Sequence, residues 1–267
     1  MDGGKYMVNT AALKKGSTVI AFLIMVTFNI LANLLLLNGI STGALSDRYP
    51  SLLTPASYTF QIWTIIYVLL FFYIIYQLGF VAGKGKLTPK GSDYIRYFFI
   101  LSCLCNAGWI VAWHYNYIAL SMMLILVILI CLGIINRYTY SEELSLLEKI
   151  FIRLPFGIYF GWITVATVLN MTVLLTSIRW SVFGLSPSIW TITVTILILV
   201  ITSLSILKYK NLAYAAAVIW AYIGILTKHT ARLQLDGKYP AIIAVLLLCI
   251  VIIVSEMIYI IIKKRAS

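Results

Sequence analysis

Stretches of about 20 apolar residues recur from one end of this chain to the other. Each is long enough to cross a hydrocarbon core of about 30 Å at 1.5 Å per residue. They occupy so much of the 267 residues that no soluble domain fits between them, and only 10% of the chain is charged, against roughly a quarter in an ordinary soluble domain. The fold class this implies is an all-α polytopic membrane protein. Reading run by run, helices are expected at 17–40, 58–82, 94–113, 117–136, 154–177, 188–207, 211–227 and 240–262, eight in all. The first run follows Lys14 and Lys15 as a signal peptide would. At 24 residues it is about twice a signal core, so it reads as a retained span.

Charge tests that count independently. Fifteen of the 20 Lys and Arg residues fall in segments on the side of the N-terminus. Arg48, Arg179, Lys228, Arg232 and Lys238 fall on the other side. That asymmetry follows the positive-inside rule and places both termini in the cytoplasm. Dropping the short seventh run would move the Lys263-Lys264-Arg265 tail outside and spoil the pattern. In that run Ala213, Ala217 and Ala221 recur every four residues as a small-residue stripe for close helix packing. Ser186-Pro187, Pro155 and Pro240 read as helix starts. Ser145 and Glu148 stand at capping-box spacing in a turn expected to lie flat on the inner interface.

The residue inventory excludes several functions. Basic residues scattered among short loops do not make a nucleic-acid face. Cys103, Cys105, Cys131 and Cys249 all lie in apolar runs with neither disulfide nor metal spacing. His114 and His229 fall in predicted outer loops, where solvation is the expectation, so no catalytic cluster or metal site is assembled. No phosphate-binding loop is present, and no lysine sits at mid-membrane. The chain is expected not to be an enzyme and to require no cofactor.

What remains are polar residues and rings at matched depth. Asn33, Asn106 and Asn170 each lie seven residues from the outer end of a predicted span, about 10 Å below the boundary. An asparagine in hydrocarbon must find partners, so the three are expected to form one interhelical or ligand-facing network. Tyr58, Trp113, Trp180 and Trp190 sit where interfacial anchors belong. Trp63, Trp109 and Trp162 are deeper and suited to line a cavity. Glu256 is the one acidic residue deep in a span. It is either a proton or cation handle or a carboxyl snorkelling toward the basic tail.

The stretch Pro55-Ala-Ser-Tyr-Thr-Phe-Gln-Ile-Trp-Thr-Ile-Ile-Tyr67 resembles the opening of the second helix in the TspO/translocator proteins, also called tryptophan-rich sensory proteins. Cys105-Asn-Ala-Gly-Trp109 matches the Asn-x-x-Trp of their third helix, and 158–170 matches the fifth-helix pattern, in the same order and spacing. The resemblance covers about residues 17–177. It departs at Ala56, where a second proline is expected, at Tyr58, where a tryptophan is expected, and by one residue lost between Phe60 and Trp63. It divides the chain into a cytoplasmic segment 1–16, a five-helix bundle 17–177, three further spans within 178–262 and a basic tail 263–267.

What the resemblance implies is a pocket for a porphyrin or another flat hydrophobic molecule, roofed by the loop between the first two spans. Matched positions carry over as Tyr58, Phe60, Trp63, Tyr67, Asn106, Trp109, Tyr159, Trp162, Ala166 and Asn170. Ser57 and Thr59 are expected to satisfy the first-turn amides. The expected function is a membrane sensor or binding protein, with a secondary transporter and a structural accessory subunit as alternatives. Expected partners are membrane lipid and a small hydrophobic ligand, with no nucleic acid. The last three spans offer a surface for a second copy or another membrane protein. The wealth of Ile, Lys, Asn and Tyr points to an AT-rich bacterial genome, hence a plasma membrane.

Overall fold

The computed structural model describes residues 3–34, 37–49, 51–81, 83, 85–178 and 184–266. Lys84, Arg179 and Trp180 lie outside them, as do the side chains of Lys5, Lys264 and Arg265. Among the described residues there is no strand, and eight helices are long and apolar enough to span a membrane. The helices are α1 (Gly3–Asn33), α2 (Thr42–Ser46), α3 (Ile62–Leu78), α4 (Pro89–His114), α5 (Ile118–Ser141), α6 (Leu146–Glu148), α7 (Leu154–Ser177), α8 (Pro187–Tyr209), α9 (Leu212–Thr230) and α10 (Pro240–Ala266).

The span count agrees with the sequence; several ends differ, among them α1 reaching back to Gly3, α3 stopping at Leu78 and α5 running on to Ser141, and two have a plain local reason. The first helix stops at Asn33 rather than 40, because a tight turn at Leu37–Gly39 holds Asn38 at φ 58° and Gly39 at φ 73°. An Asn-Gly pair adopts that left-handed conformation readily, whereas a helix cannot contain it. The third span starts at Pro89 rather than 94, since the Thr88 side chain accepts the Gly91 amide at 3.0 Å ahead of a first-turn proline. Ser186 caps α8 in the same way. The Ser145–Glu148 capping box is formed in both directions.

The chain gathers into two compact units, Met1–Ile40 with Thr64–Phe156, and Ser41–Trp63 with Gly157–Ser267. In the first, α4 packs along α1 and α5. Tyr73, Phe99 and Phe156 meet edge to face with centroids 5.0 to 5.5 Å apart. Asn136 donates to the Phe156 carbonyl at 2.9 Å, which satisfies a buried amide that would otherwise be costly. Glu148 accepts the backbone amides of Lys86 and Leu87 and so holds their loop.

In the second unit α10 packs along α8 and α9. The Tyr222 hydroxyl reaches the Thr195 carbonyl at 2.6 Å. The alanine stripe of α9 meets a Gly-x-x-x-Gly pair on α7. A methyl added to Gly157 would lie 2.8 Å from the Ala213 Cβ, and one added to Gly161 would lie 3.0 Å from the Ala217 Cβ and overlap the Tyr214 carbonyl. Small residues on both faces let the two backbones approach.

Candidate functional site

The ring cluster of the second unit is built where α3 begins and α7 runs past it. Trp63 faces Tyr159 with centroids 5.9 Å apart and Trp162 at 6.1 Å. Phe60 meets Trp162 at 5.8 Å and 87°. These are edge-to-face contacts, which the aromatic quadrupole favours. Tyr159 and Trp162 are completely buried, and Trp63 nearly so. The Trp162 Nε1–H has no acceptor. Ala166 and Asn170, both buried, follow along α7 at helical spacing.

Tyr58 takes another place. Its hydroxyl pairs with Thr227 Oγ1 at 3.1 Å and its ring stands edge-on to Trp220. It is one of a series of ties between residues 47–59 and α9. Trp220 Nε1 donates to the Thr59 carbonyl at 2.8 Å, and the Ala56 amide donates to the Gly224 carbonyl at 3.0 Å. Lys228 forms an ion pair with Asp47, and His229 Nε2 lies 2.8 Å from the Leu52 carbonyl. A carbonyl can only accept, so Nε2 carries the proton. A cavity of about 280 Å³ opens beside these ties, lined by Asp47, Ala56, Ser57, Lys228, Gln234 and Leu235.

Two of the three departures from the second-helix motif, Ala56 and Tyr58, now have a physical reason. A proline at position 56 has no N–H and could not bond Gly224. Tyrosine at 58 supplies the hydroxyl that reaches Thr227. The expected capping by Ser57 and Thr59 is not found. Ser57 Oγ bonds Asp47 at 3.2 Å, Thr59 Oγ1 is buried without a partner, and Ser57–Gln61 form a tight 3-10 turn with no side-chain cap.

The remaining matched residues, Tyr67, Asn106 and Trp109, belong to the first unit. Asn106 Oδ1 accepts from Asn29 Nδ2 at 2.7 Å. Asn33 donates to the Asn29 carbonyl of its own helix, so the carboxamide that meets Asn106 stands one turn from Asn33. Its signal is the Asn29-x-x-x-Asn33 spacing. Asn170 is buried in the second unit. Trp113, expected at the lipid interface, is buried and stacks on Trp109 at 21°. The expectation of solvated histidines is also corrected. His114 and His229 are both fully buried, His114 with Nδ1 2.8 Å from the Leu37 carbonyl. Each buried ring finds a partner in a loop carbonyl. Glu256 is half-buried on α10, and its Oε2 is enclosed without a partner.

A chain with eight helices long and apolar enough to span a membrane among its described residues, and with a buried cluster of motif tryptophans, is an all-α integral membrane protein. The chain belongs to the TSPO-like protein family, whose sequence model matches residues 15–259 and so takes in α8, α9 and nearly all of the last span as well as the motif-bearing helices. No curated protein and no solved structure matches it.

Proposed function

We propose that the protein binds a planar hydrophobic ligand such as a porphyrin in the ring cluster of the second unit, as a sensor or binding protein of a bacterial plasma membrane with both termini in the cytoplasm. The charge asymmetry of the loops supports that orientation. The observation that carries the binding reading is the Trp162 indole N–H, wholly buried among Phe60 and Trp63 with no acceptor. Such a donor costs about 1–3 kcal/mol to leave unmet. A ligand that brings both a flat face and an acceptor recovers that loss. Family membership supports the same reading, and no chemistry is asked of the site.

Titrating purified protein with protoporphyrin, followed by tryptophan quenching, tests this. Trp162→Phe keeps most of the ring area and removes the donor, and should weaken binding about tenfold. Trp63→Leu should lose about 0.5–1.5 kcal/mol of ring contact beyond area. Equal affinity in both variants and wild type would remove the cluster from the binding site.

Glu256 favours a second reading, a proton-coupled transporter. A carboxylate on a spanning helix, one of whose oxygens is buried without a partner, is the natural handle for ion or proton coupling. In proteoliposomes, wild type is expected to show no ligand-dependent proton uptake, and Glu256→Gln to bind ligand as wild type does. Uptake by wild type that is lost in Glu256→Gln would establish the transporter instead.

A further inference from the structure

We infer that the first unit carries an oxyanion-binding site, for a phosphate or carboxylate group, in a cavity of about 190 Å³ between the end of α3 and the start of α4. Tyr73, Tyr76, Gln77, Ser92, Ile95 and Arg96 line it. Gln77 is 8% exposed, and its Oε1 accepts from Arg96 Nε at 3.1 Å. That bond fixes the orientation of the carboxamide, because the reversed amide would set N–H against N–H. Nε2 is therefore a buried donor without an acceptor, held at the wall of a cavity.

The charges around it favour an anion. Arg96 bonds Asp93 Oδ1 at 2.5 Å, and Lys14 bonds Asp93 Oδ2 at 2.5 Å, so two cations share one carboxylate and the cluster keeps a positive charge. Glu148, the other carboxylate beside Tyr76, accepts the amides of Lys86, Leu87 and Ser145. The cavity wall thus offers the Gln77 amide, the Ser92 hydroxyl and the Arg96 guanidinium, while the Tyr76 hydroxyl is taken up by Glu148 and both carboxylates have partners. Acceptor oxygens must come from the ligand, and a charged acceptor is bound most strongly by such donors. Gln77 is the second-last residue of α3, and Arg96 lies about two turns into α4. This is headgroup depth, where basic pockets between spanning helices take anionic lipid. A free phosphate offers the same chemistry.

The test uses the full chain. Native mass spectrometry would count phosphatidylglycerol against phosphatidylcholine retained from mixed vesicles, and a second arm would follow thermal stability with inorganic phosphate. Gln77→Glu replaces the donor by a carboxylate. It should fold because Arg96 gains an ion-pair partner, and should weaken anion binding at least about tenfold. Gln77→Met, which removes the donor without adding charge, should weaken it less. Lys149→Gln, an exposed charge, should change nothing. Selective phosphatidylglycerol retention that Gln77→Glu abolishes assigns the site to lipid. A phosphate response abolished by the same variant, without lipid selectivity, assigns it to a free anion. If neither anion binds selectively, or if binding survives both Gln77 variants, the proposal is overturned.

Discussion

Gly161→Val should sharply lower the unfolding temperature of the detergent-purified protein, while Gly16→Ala should raise it slightly. At Gly161 the added Cβ would run into the Tyr214 carbonyl, and valine would press two further methyls against the Ala217 contact. A backbone carbonyl inside α9 cannot rotate aside as a side chain can. Relief would require α7 and α9 to part, so the cost should reach or exceed about 1–3 kcal/mol for overpacking. Gly16, inside α1, has nothing within 4 Å of an added methyl, and alanine there should stabilise by about 0.5–1 kcal/mol. Gly108→Ala is a useful intermediate, because its nearest neighbour is the flexible end of Leu124 at 3.3 Å. If Gly161→Val melts with wild type, the α7–α9 approach is wrong.

Gly224→Ala should loosen the ties between residues 47–59 and α9. The new methyl would overlap the Thr59 side chain at Oγ1, Cγ2 and Cβ, two residues from the tight 3-10 turn's end and three from the Ala56 amide that bonds the Gly224 carbonyl. About 1–3 kcal/mol should be lost. Thr59→Ala removes two of the three obstructing atoms, so the double variant should recover part of that loss, and a double-mutant cycle should show coupling. Strictly additive effects would mean that Thr59 and Gly224 do not touch.

Length and hydropathy made the eight spans legible, because crossing hydrocarbon demands about 20 apolar residues in a row. Helix ends were less so. Hydropathy does not register a helix that continues past the hydrocarbon, as α1 does toward Gly3. Thr88-Pro89 carries the same start signal as Ser186-Pro187, but Lys90, Asp93 and Arg96 disguise it as a loop. Within the ring cluster, Tyr159 and Trp162 share a helix face at i, i+3, and the motif placed Trp63 near them. The part played by α9 was hidden. Its alanine stripe was read from the sequence, but no local pattern pairs it with Gly157-x-x-x-Gly161, which the structure alone singles out. Ala56 and Tyr58 stood out as departures, and only the distance to Gly224 and Thr227 explains them. The histidines were misplaced because a sequence does not show which loop carbonyls folding will bring against a helix end.

The ties to α9 also bear on the order in which the molecule can be made. Asp47 and Lys228 are 181 residues apart in the chain, Leu52 and His229 are 177, and Thr59 and Trp220 are 161. During synthesis the loop after the first span leaves the ribosome long before its anchor exists, and such distant pairing is slow to close. Until the seventh span has been inserted, the Leu52 and Thr59 carbonyls must rely on water, and the Asp47 carboxylate on water and Ser57. Completion of the ring cluster's rim is therefore a late event in biogenesis, and a nascent chain arrested before α9 should leave that loop open to protease.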